Sequence, residues 1–372
     1  MHSEGRPVLV CPEGWEHIRR LLVVRLDNIG DIVMLGPALR TLHNALPAAR
    51  ITLMASPGGS QVAPLLPWVD DVIAWRAVWQ DISGAIPHEP GRELELVEIL
   101  RRYQFDAAVI FTSFTQSPYP PAYACYLAGI PIRLGHSKEF GGSLLSHWVK
   151  PPSDDGHQVD RNLALLAQAG FIIQKHDLEL HVPPEVQARA DLHLQEEGIE
   201  PAAPFVLLAP GASCAARRYA PQRFASVARR LAYQSGLPLV VVGSSRELEA
   251  MQPVLSVVDQ RSVFSLAGQT TVPELAAIVC RASLVIANNS ACLHLADAFQ
   301  RPMVITYSGT EYLTQWEPRS APARLLRRET HCSPCYNFHC PYAMECLDLP
   351  PEEVVQAARD LLSQKQSQLV GV

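Results

Sequence analysis

The chain has 372 residues, of which 48% are hydrophobic and 18% charged, with a formal net charge of −6. That length exceeds one ordinary core and points to two domains, and the apolar content excludes a disordered chain. The acidic balance argues against a nucleic-acid partner, which needs a basic face, and no run approaches the roughly 20 apolar residues that span a bilayer.

The opening MHSEGRPVLVCPEGW carries an early glutamate and two prolines, so no signal peptide is expected there. Nine cysteines, scattered except for one cluster, suit a reducing cytoplasm better than a disulfide scaffold. The first regular unit is Leu21 to Pro37. An apolar, β-branched run from Leu21 to Val24 reads as a strand buried on both faces. A polar turn, Asp27-Asn28-Ile29-Gly30-Asp31, then leads into a helix from Ile32 through Leu46. Strand, glycine turn and helix begin an open α/β sheet, whose ligands bind where strands end.

Further strands are expected at Arg50–Ser56, Val72–Trp75, Phe105–Phe111 and Ile132–Leu134. Helices are expected at Val62–Pro67, Arg92–Arg102, Ala122–Ala128 and His157–Gly170. Gln80–Gly91 reads as turns and Lys138–Gly156 as a long loop. Leu178–Pro184 has the pattern of a strand leading to an interdomain connection, and the helix Glu185–Gly198 follows it. A second series then begins, with strands at Phe205–Ala209, Leu239–Val242, Val263–Leu266, Leu284–Ala287 and Met303–Tyr307. Helices at Pro221–Gln234, Arg246–Val257, Val272–Arg281 and Cys292–Phe299 alternate with them, and Pro351–Ser363 is the last helix. Such alternation gives parallel sheets with right-handed crossovers. The fold class is therefore α/β, with two Rossmann-like domains facing a central cleft. The expected domains are residues 1–180 and 181–350, followed by a closing helical segment 351–372.

The first turn is neither common phosphate loop, because Gly30 and Gly36 are not followed by Lys-Ser/Thr and G-x-G-x-x-G is absent. Asp31 has two readings: cap of the helix starting at Ile32, or a carboxylate free to take a proton from a substrate hydroxyl. Asp27 lies nearer the strand and is expected to orient the turn. Arg25, inside the strand pattern, needs a charged partner.

In the second half, Pro210-Gly211-Ala212-Ser213 ends a strand, and Arg217 and Arg218 follow. Guanidiniums beside a glycine turn suit a nucleotide diphosphate, although two solvated arginines would read the same way. Glu247, after another strand, suits ribose hydroxyls or simply a helix start. Asn289-Ser290-Ala291 opens a helix whose free N–H groups suit phosphate, and Ser290 alternatively is a plain N-cap. His294 lies one turn along, where a lone histidine is usually structural. Cys332, Cys335, Cys340 and Cys346 offer four soft ligands that either hold a structural Zn²⁺ or remain thiols.

The order of these motifs resembles glycosyltransferase family 9, the heptosyltransferase-like enzymes. Its R-x-D/S-x-x-G-D-V turn matches Arg25-Leu26-Asp27-Asn28-Ile29-Gly30-Asp31-Ile32, followed by Pro37-Ala38-Leu39. Its P-G-A/S and K-R-W/Y-P-x-x-x-F-A match Pro210-Gly211-Ala212 and Arg217 to Ala225. Its D-S/T-G-x-x-H-L-A-A matches Asn289 to Asp297, and the cysteine loop and closing Pro351-Glu352-Glu353-Val354 also look alike.

The resemblance implies a GT-B architecture and an inverting, metal-independent sugar transfer to a lipopolysaccharide-core or other cell-envelope glycan. It makes Asp31 the general base, with Arg25, Asp27, Asn28 and Gly30 on the acceptor side. Gly211, Ala212, Arg217, Arg218, Glu247, Asn289, Ser290, Ala291 and His294 would bind the donor. The aromatic stretch Phe114–Tyr126 is expected to line the acceptor side.

Asn289, Ala291 and Arg217 depart from the family's Asp, Gly and Lys, which leaves the sugar nucleotide open, with an ADP-sugar favoured. No catalytic cofactor is implied. The expected setting is the cytoplasm, with peripheral contact at the inner membrane face. A nucleotide-sugar epimerase on the same fold and a non-catalytic nucleotide-sugar-binding protein are the alternatives.

Overall fold

The computed structural model describes residues 11–81, 84–200, 202–258 and 262–370, with side chains described as far as residue 364. Residues 82 and 83 of the expected turn-rich stretch lie outside the described residues, as do the first ten, on which the signal-peptide reading mostly rests. The chain divides into two compact units, Met1–Leu178 and Glu179–Val372.

The first unit holds β1 (Arg20–Arg25), β2 (Arg50–Ala55), β3 (Asp71–Ala74), β4 (Ala107–Ile110), β5 (Ile132–His136) and β6 (His147–Val149). They form one six-stranded parallel sheet in the order β3-β2-β1-β4-β5-β6. The second holds β7 (Val206–Ala209), β8 (Leu239–Val241), β9 (Val263–Ser265), β10 (Leu284–Asn288), β11 (Met303–Thr306) and β12 (Ala323–Leu326). Its order is β12-β11-β10-β7-β8-β9, the same winding read from the other edge. Helices cover both faces of such sheets, so the inner strands β4, β7 and β11 are buried throughout. In the first unit Leu22, Val24, Ile110 and Leu100 share a core. In the second, Val354, Ala358 and Leu361 of the closing helix Pro351–Val370 pack with Tyr219 and Phe224.

Four expectations are corrected. The long helix from Ile32 is two helices, Ile29–Val33 and Gly36–Ala45. Pro37 has no N–H to bond the Val33 carbonyl, so the helix must restart. Arg246–Val257 is similarly broken, into Ser245–Glu247 and Gln252–Leu255, with Pro253 in the first turn of the second piece. Leu178–Pro184 forms no strand; Leu178 and Leu180 alternate inward without a ladder partner. Conversely, β6 lies inside the expected loop Lys138–Gly156, and β12 was not expected. Both are part-exposed edge strands, so neither carries the apolar run of an inner strand.

Candidate active site

In each sheet the strand order reverses between two central neighbours, β1 and β4 in the first and β7 and β10 in the second. The carboxyl ends of such neighbours open a crevice where α/β sheets bind ligands.

Arg25 closes β1 and is wholly buried. Its Nε lies 2.8 Å from Asp27 Oδ2, and its Nη2 donates to Asp31 Oδ1 at 2.7 Å and to Ser113 Oγ at 2.8 Å. Gln116 Nε2 donates to the other oxygen of Asp27. Ser113 and Gln116 follow β4, so the cluster joins both sides of the switch point. The partner that Arg25 requires is therefore a pair of aspartates.

Two carboxylates around one guanidinium leave an excess negative charge away from water. Burial accordingly pushes Asp27 up to about 6, against the pull of Arg25 and helped by the Asp31 charge. Burial acts to lower Arg25, but Asp27 and Asp31 outweigh it and keep the guanidinium charged.

The N-cap is Asn28, and Asp31 is the third residue of the helix, which corrects its reading as the cap. Asp31 Oδ2 accepts the Asn28 N–H at 3.2 Å, the backward half of a capping box, while Oδ1 faces Arg25. Gly30 sits inside this helix without positive φ and so is not a glycine turn. Asp31 is 9% exposed, so its fixed carboxylate is not wholly sealed from solvent.

In the second unit Gly211 follows β7. A Cβ there would stand 2.1 Å from Glu247 Oε1, so glycine is what lets this carboxylate lie over the turn. Glu247 Oε2 accepts from the Ser244 N–H at 2.8 Å and hydroxyl at 2.7 Å. Glu247 closes a capping box at this helix start, and its carboxylate also borders the Gly211 turn.

The buried Ala212 carbonyl accepts from Arg218 Nε at 3.0 Å, which fixes that arginine across the turn. Arg217 is ion-paired with Glu311, and its Nε donates to Thr310 Oγ1 at 3.3 Å. Asn288, wholly buried at the end of β10, donates to the Pro210 carbonyl at 2.7 Å and accepts the Tyr219 N–H at 3.0 Å. Asn289 Oδ1 accepts from the Ser308 N–H and hydroxyl. Ser290 holds the N-cap position of the helix Ala291–Ala298 with no side-chain capping bond. His294, 9% exposed, meets the edge of Trp316 at 6.5 Å between ring centroids.

The residues that motif reading passed over are Ser113, Gln116, Asn288, Ser308, Thr310 and Glu311. Asn288 alone carried a signal, because an amide ending a buried strand demands partners.

The four cysteines form a loop against the second turn. Cys335 and Tyr336 N–H groups donate to the Gly309 and Thr310 carbonyls, and the Phe338 carbonyl accepts from Ala216. The loop thus braces the segments carrying Arg217 and Glu311. All four thiols are free and half-buried; burial raises Cys346, and the Cys340, Cys332 and Cys335 sulfurs add to that. The donors suit a soft ion, but among the described residues no three His, Cys, Asp or Glu side chains meet as a group able to hold a metal.

Two parallel sheets of this winding, each with a polar turn at its switch point, give the two-domain GT-B fold. The chain belongs to glycosyltransferase family 9 (heptosyltransferase), whose model matches residues 94–345. Lipopolysaccharide heptosyltransferase 2 of Escherichia coli strain K12 is 25% identical over 360 residues, covering 94% of this chain and all of that one. Among solved structures, the Escherichia coli ADP-heptose LPS heptosyltransferase II superposes with a TM-score of 0.73 at 23% identity, covering 93% of this chain and 99% of that one. A family 9 glycosyltransferase from Veillonella parvula superposes at 0.75 with 22% identity, covering 95% and 99%.

Proposed function

We propose that this glycosyltransferase moves a heptose from ADP-heptose to a lipopolysaccharide-core acceptor by direct displacement with inversion, without a catalytic metal. The relatives named as lipopolysaccharide heptosyltransferases match over nearly their full lengths, which supports the sugar and the acceptor, and the likeness to the ADP-heptose LPS heptosyltransferase II structure supports the donor. The observation that carries the mechanism is the carboxylate of Asp31, fixed by Arg25 and the Asn28 N–H at a switch point.

In this reading Asp31 takes the proton of the acceptor hydroxyl as that oxygen attacks the anomeric carbon from the face opposite the leaving diphosphate. Holding base and hydroxyl together supplies much of the rate, and a cationic clamp supplies much of the rest. Arg217 and Arg218 accept the departing charge, with Arg217 exchanging Glu311 for phosphate oxygens. Uncapped N–H groups of the helix at Ser290 add donors to the diphosphate. Glu247 holds ribose hydroxyls beside Gly211. Asn289 keeps the first turn of the helix placed through Ser308, and His294 lines the donor pocket.

No helix among the described residues is long and apolar enough to cross a membrane. We place the enzyme in the cytoplasm at the inner membrane face, where its glycolipid acceptor is reached. Phe140, in the segment before β6, and Trp148, within it, are 99% and 61% exposed and support such surface contact.

The test is transfer from ADP-heptose to a heptose-deficient core acceptor, with product anomeric configuration read by NMR. Transfer with inversion is expected. Turnover of another nucleotide sugar with none from ADP-heptose overturns the donor assignment, and retention overturns direct displacement.

A further inference from the structure

A nucleotide sugar carries a polyhydroxylated ring on each side of its diphosphate, and the second unit presents a carboxylate on each side of its switch point. Strand order places β8 beside β7 and β11 beside β10. Glu247 follows β8 and lies over the turn after β7. Glu311 follows β11 and meets the segment after β7 from the opposite edge, through its ion pair with Arg217. The first carboxylate has a role toward ribose in the proposed reaction. The second so far serves only as a counterion.

The backbone that carries Glu311 is fixed from several directions. Thr310 Oγ1 accepts from Arg217 Nε at 3.3 Å and lies 3.0 Å from Ser308 Oγ, which itself donates to Asn289 Oδ1. The cysteine loop closes on the same turn, where the Tyr336 N–H donates to the Thr310 carbonyl at 2.8 Å. A Cβ at Gly309 would stand 3.1 Å from Ser333 Cβ, so glycine lets the loop approach this closely. That approach sets Tyr336 beside Tyr312, edge to face, with ring centroids 6.5 Å apart. The two tyrosines are 47% and 46% exposed. Phe338, 44% exposed, is anchored next to Arg217, because its carbonyl accepts the Ala216 N–H at 3.0 Å. Aromatic rings left open to water beside one ion pair mark a surface that a ligand covers. A ligand that presents hydroxyls to a carboxylate and C–H groups to aromatic faces is a sugar ring.

We propose that Glu311, Tyr312 and Tyr336 recognise the sugar ring of the nucleotide-sugar donor. The assignment rests on the reading of the second unit as the donor side. As the diphosphate takes over Arg217, the released Glu311 carboxylate accepts from sugar hydroxyls, and the tyrosine rings pack on the apolar C–H face. Glu311 is thus the counterion that the donor displaces and the reader of the sugar it carries, as Glu247 is of the ribose.

The test is calorimetric binding of ADP and of ADP-heptose to the full chain. Tyr312→Ala combined with Tyr336→Ala should weaken ADP-heptose about tenfold and leave ADP unchanged. Glu311→Gln should separate the two ligands in another way. ADP should bind several-fold tighter once Arg217 loses its internal counterion, while the ratio of ADP-heptose to ADP affinity falls. A residue that merely holds the turn in place would move both ligands together. Equal shifts for the two ligands in either variant, or no shift at all, overturn the assignment. Sugar transfer is measured on the same wild-type preparation. Equal shifts with transfer intact sink the sugar subsite alone, and the expected split without transfer sinks the proposed reaction alone. A wild-type chain that binds neither ligand overturns both.

Discussion

The two switch-point turns occupy equivalent places in sheets of the same winding but solve opposite problems. The first gathers Arg25, Asp27 and Asp31 out of water and leaves nearby donors unbonded. The second is satisfied through neutral amides, with Asn288 binding both the β7 turn and Tyr219, and Asn289 binding Ser308. A buried charged cluster is suited to tuning a proton acceptor, whereas an amide scaffold is suited to holding a turn still for a ligand that brings its own charge. In the proposed reaction the same fold divides the work, the first turn serving proton transfer and the second binding.

Substitutions at the two turns should fail differently. Arg25→Gln strands two buried carboxylates and should cost about 3–5 kcal/mol of stability, read by denaturant unfolding. An unchanged midpoint would mean the cluster contributes no electrostatic organisation. Gly211→Ala in the second turn should act on binding instead. The new Cβ meets only the flexible end of Glu247, which can swing away, so Tm should hold while ADP affinity falls about tenfold. Loss of stability with intact affinity would reverse the contrast.

A smaller effect follows from Asp27. Its value of about 6 in the folded chain stands above its ordinary 3.8, so between those values the folded chain keeps a proton that the unfolded chain has released. Stability should therefore fall as pH rises through this window, and Asp27→Asn should flatten that part of the Tm profile. A wild-type Tm profile flat between about pH 4 and about pH 6 would contradict the raised value of Asp27. Least of all, Phe140→Ser with Trp148→Ser should leave transfer to a soluble acceptor unchanged and weaken sedimentation with anionic vesicles.

Local pattern made much of this legible. Buried inner strands announce themselves by apolar runs, and Arg25 demanded a charged partner before any partner was visible. What escaped depended on distance or on exposure. Ser113 and Gln116 come to Arg25 and Asp27 from far along the chain, where no spacing rule reaches. The edge strands β6 and β12 lack an apolar run. The cap reading of Asp31 fails because the helix begins at Ile29, a turn earlier than its hydrophobic periodicity, with Asn28 as the N-cap. Only the backbone shows that the aspartate reaches backward instead of capping.

The central claim is that Asp31 is the base, held apart from donor binding. It is tested most directly by Asp31→Asn, a near-isosteric change, comparing single-turnover transfer with ADP affinity. Transfer should fall by about 10²–10⁴-fold while ADP binds as in the wild type. Transfer at the wild-type rate, or a loss fully accounted for by weaker ADP binding, would contradict the account.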